Sequence, residues 1–180
     1  MDLDKDERAQ LAGTLGCTEA DLDSELQSFF DAAQEEYVRM MLGQRVYTRG
    51  SDIREYRLLL LIKHAFKKLP SEQQISGLFQ TSAIQSRSLL RSVMSKYQYE
   101  LQAIIRDSLS QLLTAATGPA DGDKVVIVEA ENFVEALNRE IAAIDGRLQP
   151  VTRQASTTAA YVIPKDTYKR LETRFGVAGG

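Results

Sequence analysis

Apolar residues recur at intervals of three and four along most of the chain, which predicts a mainly helical protein. Residues 5–15 form a short helix candidate ending near Gly16. Thr18 and Asp21 then have capping-box spacing, with Asp in place of Glu, and open a helix reaching about Leu42. Its apolar positions are Leu22, Leu26, Phe29, Phe30, Ala33, Tyr37, Met40 and Met41, and Asp23, Gln27, Asp31, Gln34 and Glu35 lie opposite as a solvated face.

Gly43 and Gly50 bracket a short connection, GQRVYTRG, after which Ser51 can cap a helix running to about Leu69. Leu58 to Ile62 is apolar on all sides of that helix, which marks it as central. Pro70 stops it, and Ser71 and Gln74 have the spacing of a capping box for a helix of about nine residues. Ser82 and Gln85 repeat the signal. From there Leu90, Met94, Tyr97, Leu101, Ile104, Ile105, Leu109 and Leu112 predict one long helix to about Leu113. Its stripe can pack inside a bundle or pair with a second copy.

The segment TAATGPADGD, residues 114–123, is small, polar and broken by Gly118, Pro119 and Gly122, and reads as a linker. Beyond it the pattern changes. Lys124 to Val128 is a β-branched run, residues 130–144 are an amphipathic helix, and Asp145-Gly146 is a turn. Ala160 to Ile163 is a second strand, and Pro164 suits the start of a last helix through Tyr168 and Leu171. The expected fold is a helical bundle over residues 1–113, a linker over 114–123 and a small α/β appendage over 124–180.

Charge sharpens this picture more than composition does. The net charge of −3 is the sum of −8 over residues 1–44, +7 over 45–106 and −2 over 107–180. A basic middle can serve a polyanion through release of condensed counterions, or it can fold against the acidic first helices. One cysteine, Cys17, excludes an intramolecular disulfide and a cysteine-based zinc site built from a single chain. The polar start MDLDKDER has no secretory signal pattern and no segment has the roughly 20 apolar residues of a membrane span, so a cytoplasmic protein is expected.

Catalytic patterns are missing from the sequence. GTLGC at 13–17 is not a dinucleotide or phosphate loop, and the lone His64 has no second histidine or cysteine close by. The acidic pairs Asp21/Asp23 and Glu35/Glu36 lie on a helix that needs a polar face anyway. The expectation is a non-catalytic protein with no cofactor and no bound metal.

Residues 69–97, LPSEQQISGLFQTSAIQSRSLLRSVMSKY, place two helices around a tight turn, the second opening with a capped, polar, Arg-containing first turn. This passage resembles a helix-turn-helix. Ile75, Ser76, Leu78 and Phe79 fall at packing positions of the first helix, with Ser76 as the small residue where the helices cross, and Leu89 and Leu90 anchor the second. It departs from the general pattern at two places. The turn position usually taken by Gly is Gln80, and the inward aliphatic of the second helix is Ser86, with Ile84 two residues early. The resemblance implies a DNA-binding regulator or accessory factor, with Ser82, Gln85, Arg87, Ser88 and Arg91 toward DNA and Lys67, Lys68 and Lys96 on the phosphate backbone. Such readers often bind as dimers.

The alternative is a scaffold subunit of a larger complex. YVIPKDTYKRLETRFGVA, through Val162, Ile163, Pro164, Leu171 and Gly176, is similar to the ending of the small domain in GINS replication-complex subunits, although the helix at 130–144 departs from that domain. That likeness implies protein partners or a homodimer through the apolar helix stripes, and contacts without sequence-specific reading.

Overall fold

The computed structural model describes residues 3–42, 49–128, 131–154 and 160–176. It is mainly helical, with a small antiparallel sheet near the C-terminus. The chain divides into two compact units, Met1–Leu101 and Gln102–Gly180.

The first unit holds five α-helices among the described residues: α1 (Lys5–Leu15), α2 (Leu22–Met41), α3 (Gly50–Leu61), α4 (Glu72–Phe79) and α5 (Ala83–Lys96). Asp4 caps α1 through a full capping box with Glu7, and Gly16 ends it in the left-handed region that glycine adopts without a Cβ clash. The Thr18 hydroxyl donates to Asp21 and accepts from its backbone N–H, but this pair closes a turn, and α2 starts one residue later at Leu22. Leu22, Leu26, Ala33 and Tyr37 of α2 are buried. Its apolar stripe is therefore largely consumed inside the unit.

Two expectations for the middle of this unit are corrected. Ser51 lies inside α3, and the N-terminal cap is made instead by Asp52, whose carboxylate accepts from the Arg49 backbone N–H at 2.9 Å. The helix also ends before Leu69, because Ile62–Phe66 form a π turn closed by Lys67 N–H donating to the Ile62 carbonyl at 2.7 Å. Lys67 then takes a left-handed conformation, φ 55°, and turns the chain out of the helix. Residues 43–48 of the GQRVYTRG connection lie outside the described residues.

Leu58, Leu59, Leu61 and Ile62 are all buried, as the all-round apolar pattern requires. Leu61 and Ala65 join Leu11, Ala12, Leu22, Leu26 and Leu78 in one core, flanked by Phe29, Phe30, Phe66 and Phe79. A second cluster sets Tyr56 of α3 between Tyr37 of α2 and Tyr97 just after α5, the rings tilted on one another with centroids 5.3 and 6.3 Å apart.

The long helix expected from Ser82 to Leu113 is two helices. α5 stops at Lys96, and α6 (Gln102–Thr114) opens the second unit. Tyr97 leaves helical geometry at φ −115°, ψ 35°, and turns fill residues 97–101. The apolar spacing runs through this break unchanged, so periodicity alone cannot register it.

The second unit contains α6, β1 (Lys124–Ile127), α7 (Glu131–Ile144), β2 (Thr152–Arg153), β3 (Ala160–Ile163) and α8 (Lys165–Phe175). Its sheet has the order β1-β3-β2, antiparallel throughout, with Val126 opposite Tyr161 and Thr152 opposite Val162. Residues 114–123 belong to this unit rather than separating two others. Thr117 and Val125 exchange backbone hydrogen bonds, and Lys124 Nζ donates to the Gly118 carbonyl. α6, α7 and α8 pack on one another and α6 packs on β1, burying Leu109, Leu113, Leu137, Ile141, Ile163 and Leu171. β2 is the element that the sequence reading lacks. Asn138 of α7 holds the residue before it, accepting from Val151 N–H at 2.8 Å and donating to its carbonyl at 3.3 Å.

Candidate nucleic-acid interface

The α4–α5 corner is built by local signals first. Ser71 accepts from Gln74 N–H at 3.2 Å while the Gln74 side chain accepts from Ser71 N–H at 2.9 Å, a complete capping box for α4. Ser82 and Gln85 do the same for α5 at 3.1 and 3.0 Å. Between the helices, Gln80 adopts φ 53°, ψ 49°, the left-handed conformation that a glycine takes at lower cost. The turn thus keeps the geometry its usual glycine supports while carrying a different residue.

Packing then fixes how the helices meet. Ser86, the polar residue at the inward position of α5, is fully buried. Its hydroxyl lies 2.7 Å from that of Ser76 and 2.6 Å from that of Thr81, and it donates to the Ser82 carbonyl at 2.8 Å. Small side chains on both helices let the backbones approach, and the mutual hydrogen bonds remove the cost of burying a hydroxyl. Ile75 and Leu78 of α4 and Leu89, Leu90, Val93 and Met94 of α5 are buried alongside them. Phe79 stacks on Phe30 at 5.4 Å.

The eight residues expected to face DNA divide into three groups. Ser82 and Gln85 are exposed but spend cap atoms on each other's backbone. Arg87 and Lys96 are held by ion pairs to other helices of the unit: Arg87 Nε pairs with Glu72 at 3.0 Å across the corner, and Lys96 Nζ lies 3.2 Å from both Asp52 and Glu55 of α3. Burial pulls the Lys96 ammonium down, but its bonds to Glu55 and Asp52 outweigh that and hold it up at about 12. Ser88 and Arg91 are exposed on α5, Arg91 with an interaction of its own within the protein, and Lys67 and Lys68 are exposed just after the π turn.

One large apolar residue of this helix, exposed, was outside the expected set. Ile84 is 74% exposed, and it shares a helical stripe with Ser88 and Arg91. Its position in the first turn of a candidate reading helix was legible in the sequence, but an apolar residue there registers only once its exposure is known.

Elsewhere in the first unit, His64 is exposed on the rim of a cleft of about 420 Å³ between α2 and α3. The cleft is also lined by Glu36 and Tyr56, and the Tyr56 hydroxyl donates to Glu36 at 2.6 Å. Burial first, then that hydrogen bond, pushes the Tyr56 hydroxyl far above its ordinary range. Among the described residues no three His, Cys, Asp or Glu side chains group as metal ligands, and no helix is long and apolar enough to cross a membrane. No protein-family model, curated protein or solved structure matches the chain.

Proposed function

We propose that this chain is a non-catalytic DNA-binding protein that inserts α5 into the major groove. The observation that carries the reading is the α4–α5 corner, with its left-handed turn at Gln80, its close Ser76–Ser86 crossing and its doubly capped second helix. Electrostatics support it. α1 to α4 each carry an acidic residue in the first turn, where the helix dipole favours one, whereas α5 has none there and none along its length. A leading end without carboxylates meets no repulsion from the phosphates that flank a groove. Arg91, Lys67 and Lys68 are then the phosphate contacts, and α5's outward stripe meets the bases.

The test is a salt titration of binding to random-sequence duplex DNA, with Arg91→Ala, Lys67→Ala and Lys68→Ala combined in one variant. The expected result is salt-sensitive binding whose log–log slope shrinks by about 0.9 for each phosphate contact removed. No binding at low salt would overturn the reading.

A second reading, a subunit of a larger assembly, is favoured by the far end of α2. There Val38 and Leu42, one turn apart on the same side, are 44% and 72% exposed, an apolar pair that the first unit leaves uncovered among its described residues. Failure of DNA binding together with capture of a defined protein partner would select it.

A further inference from the structure

We propose that Ile84 is the residue through which α5 discriminates sequence, by packing against the 5-methyl group of a thymine. The inference rests on the DNA-binding reading above and names the feature of the duplex that the site selects. It follows from which groups at the front of α5 are still available. A glutamine reads adenine with both its amide oxygen and its amide nitrogen. The Gln85 oxygen already accepts from the Ser82 backbone N–H, so bidentate reading by Gln85 opens the capping box. The Ser82 hydroxyl is committed in the same way to Gln85 N–H. Arg87, the residue type that reads guanine through two parallel donors, already directs Nε and one terminal nitrogen at the two oxygens of Glu72, at 3.0 and 3.5 Å. A guanine contact there must displace a carboxylate held on the neighbouring helix.

Ile84 has no such commitment. It sits between the two cap residues, is 74% exposed, and precedes Ser88 and Arg91 at intervals of four and three on the same side of α5. The stripe therefore presents an apolar tip, then a hydroxyl, then a guanidinium. In the major groove only one base edge is apolar, the thymine 5-methyl, so an aliphatic tip selects thymine while the hydroxyl and guanidinium behind it serve phosphates or bases. Burial of one methyl group against another is worth about a fourfold change in affinity.

The experiment selects preferred duplexes from a random pool with the parent protein, then replaces each thymine of the selected site by deoxyuridine, which removes only the 5-methyl group. The expected result is at least one thymine whose replacement weakens parent binding roughly fourfold and leaves binding of an Ile84→Ala variant unchanged. Ala is a better helix former than Ile at an exposed position, and unchanged helical circular dichroism shows that the variant is folded. Deoxyuridine replacement without effect at every thymine, or an equal loss in parent and variant, overturns the role of Ile84 and leaves DNA binding standing. A pool that binds without enrichment of any sequence does the same. No duplex binding at all overturns both.

Discussion

The hydroxyls of Ser76 and Ser86 meet at 2.7 Å where α4 crosses α5, and Ser86 is shut off from solvent by that crossing. An aliphatic side chain is the usual occupant of an inward position on a second helix, so the fold has exchanged apolar volume for a hydrogen-bonded close approach. The energy of this exchange decides what the position tolerates.

Ser86→Ala removes the hydroxyl shared by Ser76, Thr81 and the Ser82 carbonyl, and the expected loss is about 1–3 kcal/mol, since partners in the crossing lose their hydrogen bonds. Ser86→Leu keeps α5 apolar and restores the usual residue type, yet it forces extra volume between two helices packed on small side chains. The expected loss is about 1–3 kcal/mol. Urea denaturation followed by helical circular dichroism checks both. A stabilising Ser86→Leu would show that the crossing is looser than the serine contacts require.

Gln80 pays for a left-handed backbone that its side chain does not favour. Gln80→Gly removes the Cβ clash and adds freedom to the unfolded chain, and the first effect is the larger at φ 53°, ψ 49°. The expected net gain is about 0.5–1 kcal/mol, read as a shift in denaturation midpoint at unchanged m-value. Gln80→Val, β-branched, is expected to lose stability by the same measurement.

One source of acid sensitivity is expected at the start of α3. The Arg49 backbone N–H, donating at 2.9 Å, holds the Asp52 carboxyl below its ordinary range; desolvation opposes this, and the Lys96 ammonium at 3.2 Å adds to it. A lowered carboxyl pKa means the folded state prefers the ionised form. Its contribution is complete above the unfolded value near pH 4 and is lost as pH falls through the lower folded value. Lys96 has the opposite sign, raised to about 12, so its share is intact at neutral pH and is lost only in strong base. Asp52→Asn is expected to narrow the stability gap to the parent below about pH 4 and to keep it constant from neutral pH down to that point. Denaturation midpoints across that range test it.

Much of the fold was legible because it is written in short-range signals. The capping boxes at Ser71 and Ser82, the glycine at the end of α1 and the strand at Ala160–Ile163 each depend on residues within one turn or one run, and each stands where its signal lies. What was not legible depends on partners far along the chain. The break between α5 and α6 falls inside an unbroken apolar period, and Tyr97 there packs beside Tyr56 of a different helix. β2 is two residues long and exists only because β3 offers Tyr161 and Val162 as pairing partners. The candidate site divides the same way. Its corner could be read from spacing, but the engagement of Arg87 by Glu72 and of Lys96 by α3 could not, since both need the helices already packed.

The Arg87–Glu72 pair therefore has a consequence for any mutational test of DNA contact. Their side chains are 32% and 16% exposed, partly shielded from water, and they join the first turn of α4 to the outer part of α5. Arg87→Ala and Glu72→Ala are each expected to destabilise, and a double-mutant cycle is expected to show coupling of about 0.5–1 kcal/mol. If Arg87 acts by holding the corner, the two single variants weaken DNA binding to a similar degree, although Glu72→Ala removes a negative charge and should favour a polyanion. If Arg87 reaches the duplex instead, Arg87→Ala weakens binding while Glu72→Ala strengthens it by releasing the guanidinium. The opposite signs expected of Glu72→Ala separate a positioning residue from a contact residue, which Arg87→Ala alone cannot do.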